Sequence, residues 1–198
     1  MNFLAHLYLA EDSPGSLIGN LLPDLVRGVG PPTDELDPAV RAGAALHHRV
    51  DIYTDRHPVF RESKGRIRGR HGIFSGILID VFYDHFLSVS WDRYHPDPLP
   101  QFIAHVYQTF ADHTHLMPPP MRWVTERMAA QDWLSSYGSV EGIGLILERM
   151  SRRFRARFER NVDLAVAVVD LEQHYDALQR DFSVFFPDLV AAVGATAP

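Results

Sequence analysis

The residues best suited to chemistry begin with an acidic pair in an apolar stretch, GILIDVFYDHFL, from Gly76 to Leu87. Ile77, Leu78, Ile79, Val81, Phe82, Tyr83, Phe86 and Leu87 are large and apolar, and a helix apolar on nearly every side is normally a buried one. Asp80 and Asp84 lie four residues apart within it, so they share one helical face, with His85 about 100° round the axis. A buried carboxylate needs a cationic partner, a proton or a metal ion. Basic side chains from a neighbouring helix or backbone hydrogen bonds would answer Asp80 and Asp84 as well as a metal would.

Matching ligands occur elsewhere. His47 and Asp51 are spaced i, i+4 in LHHRVD, a spacing that presents an imidazole and a carboxylate to one ion; a plain hydrogen-bonded pair is the alternative. His6 lies in the apolar run NFLAHLYLA, and Asp24 follows GNLLP with Asn20 one turn earlier on the same face. Each has a structural reading too, His6 as a core histidine and Asp24 as a helix cap. Together they offer imidazole and carboxylate without sulfur, a set suited to Mn²⁺, Fe²⁺, Mg²⁺ or Zn²⁺. Glu-x-x-His, His-Glu-x-x-His, a Gly-x-Ser-x-Gly elbow, a phosphate loop and a dinucleotide fingerprint are all absent, which removes di-iron bundles and several hydrolase and nucleotide-binding classes. His57, His71, His95, His105, His113, His115 and His174 read as surface or core-edge residues.

The elements that must position these groups read as helices. Ser13-Pro14 and Asp37-Pro38 each place a capping side chain before a first-turn proline. The first opens a segment to about Arg27, kinked at Pro23 and stopped by Gly28; the second runs from Pro38 to about Arg56. A short helix is expected around Val59–Arg68, then the central helix, then helices from Pro100 to about Leu116 and from Met121 to Tyr137. Ser139 caps a further helix, and Asn161 begins a long one to about Phe186, followed by one more turn or two after Pro187. No strand alternation persists. The expectation is all-α: a single-domain helical bundle over 1–198.

The chain has 198 residues, no cysteine, 46% hydrophobic and 22% charged residues, as an ordinary soluble globular protein has. A cysteine-free chain is compatible with a reducing cytoplasm. The first fifteen residues make a poor signal peptide, and no run reaches the ~18 apolar residues of a membrane span. The net charge of −6 argues against general nucleic-acid binding. Eleven of the nineteen basic residues fall in two runs: Arg61, Lys64, Arg66, Arg68, Arg70 and Arg149, Arg152, Arg153, Arg155, Arg157, Arg160. Each is either a solvated face or a docking patch for an anionic partner.

Six blocks in order, MNFLAHLYLA, SLIGNLLPDLVRG, LHHRVDIYTDRHP, GILIDVFYDHFL, DWLSSY and HYDALQRDFSVFFPDL, resemble the acyl carrier protein phosphodiesterase family along nearly the whole chain. The resemblance implies an all-helical fold distantly related to the HD metal-dependent phosphohydrolases, although the His-Asp dipeptide is absent here. It implies a Mn²⁺-dependent enzyme, with Mg²⁺ or Fe²⁺ as alternatives, that removes 4′-phosphopantetheine from the serine of holo-acyl carrier protein. On that basis Asp24, His47, Asp51 and Asp84 are expected at the metal, with His6 and Asp80 as further ligands or supports. His85 is the candidate for protonating the departing serine oxygen. Arg61, Lys64, Arg66, Arg68 and Arg70 are the expected contacts for the acidic carrier, the Arg149–Arg160 run a second choice. Rival readings are a phosphohydrolase of a small nucleotide or phosphoester and a non-enzymatic helical binding protein.

Overall fold

A computed structural model describes residues 1–26, 35–158 and 162–194. Among them the chain is helical, without a strand: α1 (Phe3–Tyr8), α2 (Pro14–Leu25), α3 (Pro38–Arg56), α4 (Pro58–His71), α5 (Ser75–Val89), α6 (Leu99–Asp112), α7 (Pro119–Ala130), α8 (Val140–Phe158), α9 (Val168–Gln173) and α10 (Tyr175–Val193). The caps are those the sequence announces. The Ser13 hydroxyl accepts from the Ser16 N–H at 3.3 Å, Asp37 from the Ala39 N–H at 2.8 Å and Ser139 from the Gly142 N–H at 3.0 Å, each satisfying a donor that a helix start leaves open. Pro23 lies inside α2; the expected stop at Arg27–Gly28, and the start at Asn161, lie outside the described residues.

One expectation fails near the C-terminus. The single long helix is broken: α9 ends at Gln173 and α10 begins at Tyr175. The further turns expected after Pro187 are present, as α10 runs through to Val193. Ser183 and Pro187 are exposed, so the carbonyl that the proline leaves without a donor faces water. Phe182, Phe185, Phe186 and Leu189 are buried on the opposite face and hold the helix on both sides of it.

α5 is the core helix, buried from Leu78 to Ser88 except at Asp80. The segment containing it is long and apolar enough to cross a bilayer by length and composition, but 61% of that window is buried inside the protein. Around α5 one continuous apolar core draws on α1, α2, α3, α4, α6, α8 and α10.

The closest helix pair is α2 with α3. A Cβ on Gly19 would collide with the Val40 carbonyl oxygen, and one on Gly43 would lie 2.6 Å from the Ser16 carbonyl oxygen and 3.0 Å from the Gly19 Cα. These neighbours are backbone atoms and cannot rotate away, so the glycines set the interhelix distance. In an open helix glycine costs roughly 0.5–1 kcal/mol relative to alanine. Here the sign reverses: Gly43→Ala is expected to destabilise by about 1–3 kcal/mol through overpacking. Gly65→Ala on α4, where an added Cβ meets nothing within 4 Å, should instead stabilise slightly. Urea denaturation of the two variants checks the contrast.

Candidate metal centre and its cavity

The α2–α3 contact builds the site. His47 on α3 reaches across so that Nδ1 lies 2.7 Å from the Asn20 carbonyl oxygen on α2. A carbonyl only accepts, so Nδ1 carries the proton and Nε2 is the atom left for another partner. One turn further along each helix, Asp24 and Asp51 join it. The Asp51 carboxylate lies 3.1 Å from His47 Nε2 and 3.3 Å from Nε2 of His6, which comes from α1. The two imidazole rings stack with centroids 3.9 Å apart. Ligand atoms of His6, Asp24 and His47 all lie within 4.8 Å of one another.

Burial and charge divide the protonation states. Burial lowers His6 to about 4 against the pull of Asp51, so its ring is neutral near pH 7; its Nδ1 has no hydrogen-bond partner among the described residues. Burial also opposes ionisation of Asp51, but His47, His6 and the Met1 amine outweigh it and hold that carboxyl well below the usual range. For His47, burial is outweighed by Asp51, and the imidazole is raised. A buried neutral imidazole, a second with its tautomer fixed, and two carboxylates form a donor set that fits a divalent cation. The Asn20 carbonyl supplies the outer hydrogen bond that orients a histidine ligand.

Asp80 lies beside the cluster. Its carboxylate is 2.9 Å from the Met1 amine, which is also 3.7 Å from Asp51. Burial raises Asp80 against the attraction of that amine. Asp24, Asp51 and Asp80 line a cavity of about 400 Å³ whose far side is α8. Ile146, Arg149, Met150 and Arg153 line it from that helix, with Trp133 beside them. The Arg153 guanidinium donates to the Asp24 carbonyl oxygen at 3.1 Å, which ties the two sides together.

Two expectations need correction. Asp84 is engaged by the start of α1: its oxygens accept from the N–H groups of Asn2 at 3.2 Å, Leu4 at 2.7 Å and Ala5 at 3.3 Å. It closes the start of α1 and thereby sets where His6 stands. Burial pushes its carboxyl up to about 7 against the Met1 amine and those N–H donors. His85 has both ring nitrogens engaged, Nδ1 with the Tyr137 carbonyl oxygen at 2.8 Å and Nε2 with the Tyr175 hydroxyl at 3.0 Å, and it does not line the cavity. Of the α4 cations, Arg61, Arg66, Arg68 and Arg70 are exposed, and most have an acidic or carbonyl neighbour. Arg66 pairs with Asp181 and Glu62, Arg70 with Asp170, and Lys64 lies 3.8 Å from Asp55, while Arg61 donates to the Asp55 carbonyl oxygen. Arg68 alone of the five has no such partner among the described residues. The second basic run is the one that reaches the cavity, although Arg160 and the Arg157 side chain lie outside the described residues.

Asn20, Trp133 and the pairing of Arg149 with Trp133 are the site features that residue patterns did not single out. Asn20 acts through its backbone, which no side-chain pattern reveals. Trp133 lies within the DWLSSY block, but its place in the cavity depends on tertiary packing.

An all-helical protein with an imidazole–carboxylate cluster at the wall of a cavity is the class the geometry defines. The family follows from comparison. The profile of the acyl carrier protein phosphodiesterase family matches residues 1–189, and the chain belongs to that family of enzymes. It is 38% identical over 192 residues to the acyl carrier protein phosphodiesterase of Yersinia enterocolitica, with 96% of each chain covered. It is 36% identical over 191 residues to that of Serratia proteamaculans, again with 96% of each covered. The Photorhabdus laumondii protein is 35% identical over 188 residues, 94% of this chain and 92% of its own. No solved structure matches.

Two substitutions separate the cluster from its support. Asp51→Ala is expected to lower bound Mn²⁺, measured by plasma mass spectrometry after dialysis, by at least about tenfold while helicity by circular dichroism is kept. Asp84→Asn should act on the fold: an amide cannot accept from all three α1 N–H groups, and each buried donor left open costs about 1–3 kcal/mol. Its melting temperature should therefore fall even in metal-free protein.

Proposed function

We propose that this protein is a metal-dependent phosphodiesterase that hydrolyses holo-acyl carrier protein to apo-carrier and 4′-phosphopantetheine. The observation that carries the reading is the convergence of His6, Asp24 and His47 within 4.8 Å at a cavity with cations on its opposite wall, in a chain of this family. Asp24, His47, Asp51 and His6 would hold the ion, Mn²⁺ by preference with Mg²⁺ or Fe²⁺ as alternatives. When bound, such an ion supplies Lewis-acid polarisation of a phosphoryl oxygen and lowers the pKa of a coordinated water.

The chain's own residues do the rest. His85 does not line the cavity and Asp80 does, and we assign Asp80 the proton exchange with the reacting oxygens. Water adds to phosphorus, the bond from phosphorus to the serine oxygen breaks, and that oxygen leaves as a hydroxyl. The phosphate monoester keeps the added oxygen, and one proton is released to solvent. The cavity's apolar residues Ile77, Ile146 and Met150 suit the pantetheine arm and exclude water from around it.

The carrier would approach from the α8 side. Arg152 and Arg155 are exposed there, and Phe74 packs against Phe154, which brings the exposed Ile73 alongside α8. An acidic protein meeting this rim is steered by charge in an otherwise acidic enzyme. The cysteine-free chain suits a cytoplasmic setting for that encounter. The relation to HD phosphohydrolases belongs to the same reading: histidines and aspartates from separate helices converge on one ion.

The test is the mass of holo-acyl carrier protein after incubation with the enzyme. Loss of the phosphopantetheine mass with Mn²⁺, and retention of it with a chelator, is the expected result. An unchanged carrier under both conditions contradicts the proposal.

A further inference from the structure

Arg149 has an unspent hydrogen-bond donor. It lines the cavity from α8, its guanidinium carbon lies 5.5 Å from the centre of the Trp133 ring, and its Nη1 is buried with no hydrogen-bond partner. A buried guanidinium nitrogen without an acceptor is unfavourable, more so for a charged donor than for a neutral one. Stacking on an indole face fixes the plane of the guanidinium and offsets part of its desolvation, but supplies no acceptor. The missing partner is an anionic oxygen, and the cavity is where it can bind.

The position of Arg149 on α8 is also specific. Ile146, Arg149, Met150 and Arg153 fall at i, i+3, i+4 and i+7, the spacing of one helical face, and all four line the cavity. Arg153 is held against the Asp24 carbonyl oxygen at 3.1 Å. Arg149 stacks on the Trp133 ring, and its Nη1 has no acceptor among the described residues. Carboxylates on one wall and this guanidinium on another give the cavity a place for a cation and a place for an anion.

We propose that Arg149, stacked on Trp133, is the phosphate-binding residue of this cavity and holds a phosphoryl oxygen of a phosphate ester. The inference rests on the phosphopantetheine reading for the identity of the ester. Its role is binding: Arg149 orients the phosphoryl group toward the acidic wall and retains the phosphate monoester product. A monoester dianion carries more charge than the diester it comes from, so the product is held more strongly than the substrate's phosphate.

The test is calorimetric titration of the Mn²⁺-loaded protein with 4′-phosphopantetheine and, separately, with pantetheine, which lacks the phosphate. Arg149→Met is expected to weaken 4′-phosphopantetheine binding by at least about tenfold, the loss of one charge-assisted hydrogen bond. Pantetheine binding should stay within about twofold. Arg149→Lys keeps the charge but loses the planar, stacked fork, and should fall between wild type and Met. Arg127→Met removes a guanidinium stacked on Trp123 at 5.2 Å, away from the cavity, and should change neither titration.

Equal 4′-phosphopantetheine affinity in wild type and Arg149→Met overturns the proposal. So does a parallel loss for pantetheine, or no detectable binding by wild type. If holo-carrier is not cleaved but Arg149-dependent phosphate binding is found, the carrier reading fails and the anion site stands. If holo-carrier is cleaved and Arg149→Met binds product normally, the anion site fails and the carrier reading stands.

Discussion

The site depends on how closely the backbones of α2 and α3 approach at Gly19 and Gly43. With side chains at those positions the helices would separate, and His47 Nδ1 could not sit 2.7 Å from the Asn20 carbonyl oxygen. That bond fixes which imidazole nitrogen carries the proton and which faces Asp51 and His6. One turn on, Asp24 and Asp51 line the same cavity. A backbone contact between small residues thus fixes the placement of three candidate ligands on two helices, while α1 brings the fourth.

Charge is distributed on the same economical principle. Asp80 and Asp84 share a face of the core helix, where like charges repel, and the fold gives them separate answers. Asp80 turns to the cavity rim and the Met1 amine; Asp84 turns inward to the open N–H groups at the start of α1. A feature that resembles a ligand pair is therefore half site and half scaffold. The scaffold half serves the site, because α1 carries His6. Across the cavity, α8 faces this acidic wall with Arg149 and Arg153.

Much of the fold was legible because its signals are local. Ser13-Pro14, Asp37-Pro38 and Ser139 are caps whose side chains bond within three residues, and each helix starts where they say. His47 and Asp51 were legible as a pair because i, i+4 spacing on a helix is geometry. His6 and Asp24 stood out as polar groups in apolar surroundings. The rest lay in long-range contacts. His85 sits next to Asp84 in the chain, but one residue of helix turns it toward Tyr137 and Tyr175. The ion pairs of Arg66 and Arg70 were hidden because their partners, Asp181 and Asp170, are about a hundred residues away.

The central claim is that His6, Asp24, His47 and Asp51 together hold one divalent ion. Anomalous diffraction from crystals grown with Mn²⁺, collected at the manganese absorption edge, tests it most directly. The account predicts one strong peak within coordination distance of His6, Asp24, His47 Nε2 and Asp51. A peak elsewhere in the molecule, or none at saturating Mn²⁺, would contradict it.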